Sequence, residues 1–277
     1  MVDEIPRSRQ ARIAAETALV RVVHHYGDRP EFVVLGGLVP ELLCSGSAFQ
    51  HAGTTDIDVQ VNLEIAYGSV NASRLERALR TADFVPDADK VWRWQAEGAP
   101  TKTIVKFELL ADLDDAPAEA IVEFEGCDEL GAINLRGTGF AAKDFSAQRL
   151  SARVGGVVHE AQVSVAGIAG FLLAKAAAAY SRRKPKDWYD IAFVLLHNDE
   201  GGPGAAAARV IDRFSGDLRG FIRTALEDLL ANFRTTTAQG PRAYASQMTE
   251  DHPELSASET AADAVAAVHE FHTAVVG

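Results

Sequence analysis

Hydrophobic and polar residues alternate in two different ways along the chain, and the change falls near residue 166. Before this point, stretches with helical spacing of apolar residues are interleaved with short apolar runs typical of strands. After it, only helical patterns follow, separated by segments rich in Gly, Pro and charged residues. The pattern predicts an α+β core over residues 1–165 and a helical C-terminal lobe over residues 166–277.

The elements of each half follow from the same periodicities. In the first half, the predicted helices cover 8–26, 38–43 and 70–82, and the predicted strands cover 32–37, 56–62, 91–95, 103–110 and 153–165. In the second half, the predicted helices cover 167–181, 188–198, 204–214, 217–232 and 257–275.

Composition is typical of a globular protein of the cytoplasm. The chain has 277 residues, of which 47% are hydrophobic, and only two cysteines. This excludes collagen-like, disordered and disulfide-scaffold classes. No stretch offers the roughly 20 continuous apolar residues of a membrane span, and the N-terminal residues do not resemble a secretory signal. We therefore expect a cytoplasmic protein with no membrane partner.

The charge of the chain is negative overall but basic in one segment. A net charge of −12 disfavours a general nucleic-acid-coating role, because an acidic protein repels phosphates at long range. The segment 175–186, in contrast, contains five Lys and Arg residues and no acid. Such a segment can receive a ligand that carries phosphate.

Two aspartates, Asp56 and Asp58, occupy alternate positions of the predicted strand 56–62. Alternate residues of a strand point to one side, so the two carboxylates lie together while Ile57 takes the opposite, buried face. Adjacent carboxylates repel unless water or a cation screens them, and Mg²⁺ is commonly held by one or two carboxylates and substrate phosphates. The pair indicates either a site for Mg²⁺ (or Mn²⁺) or an exposed edge strand with two hydrated aspartates.

A glycine pair, Gly36 and Gly37, ends the predicted strand 32–37 directly before a predicted helix. Glycines at such a place let backbone N–H groups approach a phosphate at the helix N-terminus. The same pair also suits a helix-starting turn that needs only small residues. In combination with the aspartates, it favours a site for a nucleoside triphosphate (NTP).

A third carboxylate would complete a two-metal site. Glu108 lies on the predicted strand 103–110, where Phe107 and Leu109 take the other face. It is either a metal ligand or an ordinary glutamate of a strand. Asp112 is the second choice for this ligand. It lies at the end of the strand beside Asp114 and Asp115, where a hydrated loop is the favoured interpretation.

The segment 171–190 places a lysine in an alanine-rich helix and two acids after Pro185. A proline separates the two predicted helices, and a tight turn there would bring Lys175 and Asp190 towards each other. Lys175 could then hold a triphosphate as a point charge, with Asp190 orienting it or the acceptor. Asp187 as an N-cap and Asp190 in the first helical turn are the structural alternative.

Two further patterns carry less weight. The segment 137–142 imitates a dinucleotide-binding glycine motif, but no βαβ unit surrounds it. His269 and His272 are helix neighbours without further ligands, so we expect them on a hydrated face.

The motifs together resemble one family. In chain order, VLGG, TTDIDVQVN, KFELL and FLLAKAAAAYSRRKPKDWYDI are similar to the AbiEii/AbiGii-type nucleotidyltransferases, which include toxins of type IV toxin–antitoxin systems and the mycobacterial MenT toxins. The resemblance covers about residues 10–200 and is strongest at TTDID and KPKDWYDI. It implies a DNA polymerase β-like nucleotidyltransferase domain with a mixed sheet, followed by a helical lobe.

The resemblance also implies roles for individual residues. Asp56 and Asp58 would bind metal, Lys175 would contact the nucleotide, and Asp190 would be a further essential acid. Thr54 matches a family position that can be a target of inhibitory phosphorylation. The predicted nucleotide-binding residues are Gly36, Gly37, Thr54, Lys175 and Lys186, and the predicted metal ligands are Asp56, Asp58 and Glu108.

This chain departs from the family pattern at two places. Eighteen residues separate Gly37 from Asp56, which suggests a small insertion around 44–49. Many relatives carry an arginine before the aspartate loop, where this chain has His51-Ala52-Gly53.

The expected function is Mg²⁺-dependent transfer of an NMP from an NTP to an acceptor. In toxin relatives the acceptor is the 3′ end of tRNA, and a cognate antitoxin protein accompanies the toxin. Transfer to a small molecule or to a protein hydroxyl, and a non-catalytic nucleotide-binding module, are the alternatives. The negative net charge favours a small or protein acceptor, whereas the basic segment 175–186 favours RNA.

Overall fold

A computed structural model describes residues 8–61, 69–98, 103–154 and 156–277. The chain forms two compact units. The first combines Met1–Val39 with Gly53–Ala166, and the second combines Pro40–Ala52 with Gly167–Gly277. The division into folding domains at 165/166 stays a prediction, and the assignment of Pro40–Ala52 to the helical unit was not anticipated.

The first unit contains a mixed sheet and helices. Its strands are β1 (Phe32–Leu35), β2 (Asp56–Val61), β3 (Val85–Pro86), β4 (Arg93–Gly98), β5 (Thr103–Ala111), β6 (Ile121–Glu123), β7 (Gly131–Asn134), β8 (Phe145–Val154) and β9 (Val157–Ala166). Its helices are α1 (Arg9–Tyr26), α3 (Ser69–Thr81) and α4 (Gly139–Lys143), and α2 (Val39–Leu43) begins at its boundary.

The strands are joined in the order β3-β4-β5-β2-β1-β9-β8. β7 pairs with the end of β5, and β6 pairs with β7. The pairs β1/β9, β2/β5 and β5/β7 are parallel, and the remaining pairs are antiparallel. The predicted α+β class with a mixed sheet is thus confirmed at this general level.

Alternation along the central strands decides which face of the sheet is dry. Ile57, Val59 and Phe107 are completely buried, and Trp94 of β4 lies on the same face because it pairs with Phe107. The guanidinium of Arg80 on α3 stacks over the Trp94 ring at 5.2 Å. Helix α1 packs on this face, and α3 packs on α1. This face forms the core of the unit, and Asp56 and Asp58 lie on the other side of the sheet.

The second unit is helical beyond Pro40–Ala52. Its helices are α5 (Ile168–Arg182), α6 (Pro185–His197), α7 (Pro203–Phe214), α8 (Phe221–Asn232), α9 (Gln239–Asp251) and α10 (Ala257–Val276). α5 packs on α6, α7 and α8, and α6 also packs on α9 and α10. The alanines of α5 allow close helix packing, and aromatic residues such as Trp188 and Phe193 of α6 fill the core.

Several elements were not predicted from the sequence, namely the strands β3, β6, β7 and β8 and the helices α4 and α9. The predicted strand 153–165 corresponds mainly to β9, which forms a hairpin with β8 over ten paired positions. The predicted strand 32–37 ends at Leu35, and Gly36–Leu38 form a short 3-10 helix. Helix α9 was missed because Gly240 and Pro241 are poor residues inside a helix. Pro241 occupies the first turn of α9, where no intrahelical partner for its missing N–H is required.

No helix among the described residues is long and apolar enough to cross a membrane.

The start of α9 depends on a glycine for tight packing. A Cβ atom on Gly240 would lie 2.2 Å from Cε2 of the buried Phe233 ring. We expect Gly240→Ala to lower the free energy of unfolding by about 1–3 kcal/mol, because the ring has to move within a packed core. Urea titration followed by circular dichroism measures the change.

Gly216→Ala is the matched control, since a Cβ atom there would meet no heavy atom within 4 Å. It should stay within about 0.5 kcal/mol of the wild type. Equal effects of the two substitutions would contradict the packing argument.

Candidate functional site

The predicted carboxylate pair lies on the open side of β2. Asp56 and Asp58 are partly exposed, and Ile57 between them is buried. Pairing in register places Leu35 of β1 and Glu108 of β5 on either side of Asp58, and Lys106 of β5 beside Asp56. The first unit therefore brings the three predicted metal ligands to adjacent positions on one face of the sheet.

The glycine pair is in close contact with this carboxylate strand. Gly36 has φ +74°, and a Cβ atom on it would lie 1.9 Å from Oδ2 of Asp58. A Cβ atom on Gly37 would lie 2.8 Å from Cβ of Thr54. Glycine is required at both positions, because any side chain would displace Thr54 or the Asp58 carboxylate.

Thr54 fixes the entrance to β2. Its side chain is buried, with 7% of the residue exposed, and its hydroxyl oxygen accepts a hydrogen bond of 3.0 Å from the backbone N–H of Asp56. Thr54 thus supports the loop that carries the first aspartate, and its predicted contact with a nucleotide stays a prediction.

Basic side chains on β4 and β5 compensate the acidic ones. Lys106 Nζ lies 3.7 Å from Oδ1 of Asp56, and Arg93 Nε donates a hydrogen bond of 2.5 Å to Oε1 of Glu108. All four side chains are between 17% and 29% exposed, so water and small ions can reach them. Because Lys106 lies beside Asp56 and Arg93 lies beside Glu108, these carboxylates can lie close together without an uncompensated buried charge.

The donor set suits a hard divalent cation. Mg²⁺ and Mn²⁺ prefer carboxylate oxygens, and Asp56 and Asp58 present them on one accessible side of a strand. Over 8–61, 69–98, 103–154 and 156–277, no group of three or more His, Cys, Asp or Glu side chains is arranged as a metal site. Coordination by Asp56, Asp58 and Glu108 therefore stays a prediction.

Asp112, the second choice for a third carboxylate, has a structural role. Its Oδ2 accepts hydrogen bonds of 2.9 Å from the N–H groups of Gly137 and Gly139, at the start of α4. Burial raises the pKa of this carboxyl, although the two hydrogen bonds oppose the rise. The prediction that Asp112 lies in a hydrated loop was therefore wrong. Asp112 instead binds the backbone of the glycine segment 137–142, which imitates a dinucleotide-binding motif.

In the second unit, Lys175 lies in a buried ion network. Its Nζ donates hydrogen bonds to Oδ2 of Asp190 at 2.7 Å and to Oδ1 of Asp187 at 3.3 Å. Only 6% of Lys175 is exposed, and both aspartates are completely buried. The turn at Pro185 thus brings Lys175 and Asp190 together, as the sequence suggested.

The structural alternative for the two aspartates was wrong. Helix α6 begins at Pro185 with Lys184 as its N-cap, so Asp187 lies in the first turn and not at the cap. The carboxylate of Asp187 instead receives hydrogen bonds of 2.7 and 2.6 Å from the guanidinium of Arg182. Asp187 was not among the predicted site residues, although it follows the basic segment directly.

Neighbouring charges outweigh the effect of burial on the pKa values of Lys175 and Asp187. Burial lowers the pKa of Lys175, but the carboxylates of Asp190 and Asp187 outweigh it and leave the pKa raised. Burial raises the pKa of Asp187, but Lys175 and Arg182 outweigh it and leave that pKa lowered. Such a network tolerates burial because every charge has an opposite partner.

His51 is a member of the network that sequence reasoning missed. Its ring is buried, and Nε2 lies 2.9 Å from Oδ1 of Asp190. The two residues are 139 positions apart, so no local pattern connects them. Nothing in the local sequence marked His51 as a partner of Asp190.

The basic segment 175–186 is less available than its composition suggests. Lys175 is buried, Arg182 binds Asp187, and Arg183 donates a hydrogen bond of 2.8 Å to Asp228. Lys184 is exposed and Lys186 is partly exposed. The segment therefore offers less free positive charge for a phosphate ligand than five basic residues would.

The prediction that His269 and His272 lie on a hydrated face of α10 was wrong for His272. His272 is 7% exposed, and its Nε2 lies 3.4 Å from Oε2 of Glu227 on α8.

Comparisons with known proteins identify no family. No protein-family model matches the chain, and no curated protein matches it. Among solved structures, the chain is similar to the crystal structure of an antigenic nucleotidyltransferase-like protein from Paracoccidioides brasiliensis. The identity is 14% and the TM-score 0.44, over 95% of this chain and 95% of that chain.

The buried carboxylate of Asp187 should contribute strongly to stability. Asp187→Asn leaves Lys175 and Arg182 without one negative partner, and we expect a loss of about 3–5 kcal/mol at pH 7. Because the folded-state pKa of Asp187 is lowered, its contribution is present above the unfolded-state pKa of about 4 and is lost as the pH falls through the folded value. Urea titrations between pH 2 and pH 7 measure this dependence.

Asp228→Asn is the control, because its partner Arg183 is largely exposed and the pair should contribute less than about 1 kcal/mol. A loss at Asp187 no larger than at Asp228, or a difference that does not shrink in acid, would contradict the network's role.

Proposed function

We propose that this chain is a divalent-metal-dependent nucleotidyltransferase that moves an NMP from an NTP to a hydroxyl acceptor. The observation that carries the proposal is the contact between the glycine pair and the aspartate pair. Gly36 leaves room for the Asp58 carboxylate, and Asp56 and Asp58 share one accessible side of β2. A backbone turn that can approach phosphates and a carboxylate pair that suits Mg²⁺ are the two parts that an NTP site requires.

In the proposed reaction, the oxygen of the acceptor hydroxyl attacks the α-phosphorus of the NTP. The new P–O bond forms as the bond to the β-phosphate oxygen breaks, and pyrophosphate leaves with that electron pair. The hydroxyl proton passes to a carboxylate or to water. Bound Mg²⁺ or Mn²⁺ would supply Lewis-acid stabilisation of the phosphate oxygens. Asp56 and Asp58, with Glu108, would hold and orient the metal–triphosphate complex.

Residues of the second unit have a separate place in the proposal. Lys175 would supply positive charge to the nucleotide, and Lys186 would contact it from the start of α6. The raised pKa of Lys175, caused by Asp190 and Asp187 against the effect of burial, supports a lysine that stays charged at neutral pH. Asp190 is the proposed further essential acid.

We further propose that the acceptor is the 3′ end of tRNA and that the protein is the toxin of a toxin–antitoxin system with a cognate antitoxin protein. Support comes from the resemblance of TTDID and KPKDWYDI to the AbiEii/AbiGii-type and MenT enzymes. The basic segment adds little, because Lys175, Arg182 and Arg183 are engaged with carboxylates.

Incubation with each α-³²P-labelled NTP, Mg²⁺ and total tRNA tests the reaction and the acceptor together. We expect label in RNA with wild type and a loss of at least about 100-fold with Asp58→Asn, which removes a metal ligand. Asp89→Asn, an exposed aspartate of the same unit, is the control and should label RNA like wild type.

The same experiment separates the alternatives. Label in protein or in an added small hydroxyl compound, but not in RNA, would keep the reaction and replace the acceptor. Binding of Mg²⁺·NTP without transfer to any acceptor would identify a non-catalytic nucleotide-binding module.

The glycine contact gives a second test of the proposed site. Gly36→Ala would put a methyl group within 1.9 Å of Asp58 Oδ2 at φ +74°. We expect transfer to fall by about 100-fold, the effect of a displacement near 1 Å in a catalytic group. Gly156→Ala is matched for backbone strain, with φ +87°, but meets no heavy atom within 4 Å. If both variants lose the same activity, the contact with Asp58 is not the cause.

A further inference from the structure

The environment of His51 is unusually well defined for a residue in a connecting segment. Its side chain is completely buried, and its ring lies 5.1 Å from the rings of both Tyr189 and Phe193 on α6. Its backbone N–H donates a hydrogen bond of 3.0 Å to Oε2 of Glu41. The N–H of the next residue, Ala52, donates to the Tyr189 hydroxyl oxygen at 3.0 Å. The imidazole therefore has little freedom to move.

This immobile ring holds one side of the Asp190 carboxylate. Nε2 of His51 lies 2.9 Å from Oδ1, and Nζ of Lys175 lies 2.7 Å from Oδ2. Both carboxylate oxygens are thus engaged, one by each partner. Asp190 has no exposed surface, so its influence on any ligand has to pass through a neighbour.

Charge balance explains how the group is arranged. Lys175 faces the carboxylates of Asp190 and Asp187, with Arg182 bound to the latter, and the Phe171 ring centroid lies 6.0 Å from Nζ. The two cations Lys175 and Arg182 thus face two carboxylates, and Nε2 of His51 lies within hydrogen-bond distance of the second oxygen of Asp190.

We propose that His51 is a positioning residue that fixes the Asp190 carboxylate, and through it the ammonium group of Lys175. The inference rests on the proposed function, since it matters for catalysis through the contact of Lys175 with the nucleotide. It assigns the His51 segment an indirect role in nucleotide binding. Nε2 of His51 contacts Oδ1 of Asp190, and Oδ2 of Asp190 contacts Nζ of Lys175, so a shift of the imidazole is passed on to the ammonium group.

The test compares His51→Gln, which places an amide N–H near the position of Nε2, with His51→Leu, which removes the donor. His197→Leu is the matched control, because His197 is a second, partly buried histidine whose Nε2 lies 2.8 Å from the Tyr244 hydroxyl. All three are measured for thermal stability and for KM and kcat of NMP transfer between pH 6 and 10.

We expect His51→Leu to raise KM for the NTP by at least about tenfold, the size of one lost hydrogen bond to a charged group. A loosened Asp190 raises the pKa of Lys175 less. Nucleotide affinity should therefore begin to fall towards pH 10 in His51→Leu, whereas wild type, in which the pKa of Lys175 is raised, keeps it over this range. His51→Gln should restore most of both properties. His197→Leu should lower stability but leave KM and the pH profile unchanged.

Unchanged KM and pH profile in His51→Leu, or the same changes in His197→Leu, would overturn the positioning role. If wild type transfers no nucleotide, the proposed function fails, and the ζ-group NMR signals of the lysines decide the inference separately. A Lys175 pKa that is lower in His51→Leu than in wild type, and recovered in His51→Gln, supports it. An unchanged value refutes it.

Discussion

A carboxylate withdrawn from water requires a positive charge or a hydrogen-bond donor beside it, and this requirement shapes both groups of functional candidates. In the first unit, Lys106 lies beside Asp56 and Arg93 beside Glu108, each across neighbouring strands. These side chains remain partly exposed. An incoming cation can therefore take over the compensation of charge without opening the core, which is the property that a metal–nucleotide site needs.

The second unit meets the same requirement by a different arrangement. Lys175, Arg182, Asp187 and Asp190 form a compensated network, and the aspartates are completely buried. Removing charges from water is costly, and only close partners on all sides offset that cost. The network is consequently fixed in geometry, and His51 extends it to a segment that is distant in sequence.

Much of the fold follows from local periodicity. The spacing of apolar residues located α1, β1, β2, β5 and most helices of the second unit. The β8–β9 hairpin was recognised only in its second strand, because β8 is largely exposed and has no dry face to mark it. Helix α9 was missed because Gly240 and Pro241 oppose helix formation locally, while packing of Tyr244 and Met248 into the core stabilises it.

In the candidate site, too, some features follow from the local sequence and others only from the tertiary structure. The alternation of residues within β2 by itself determined that Asp56 and Asp58 lie on the same side of the strand. The proline at position 185 likewise predicted a turn that brings Lys175 and Asp190 close together. Only the tertiary structure decided that Arg93 and Lys106 lie beside the acids of the first unit and that His51 binds Asp190. The reason is physical: the direction of a side chain follows from local backbone geometry, whereas its partner from a distant segment is selected by the packing of whole strands and helices.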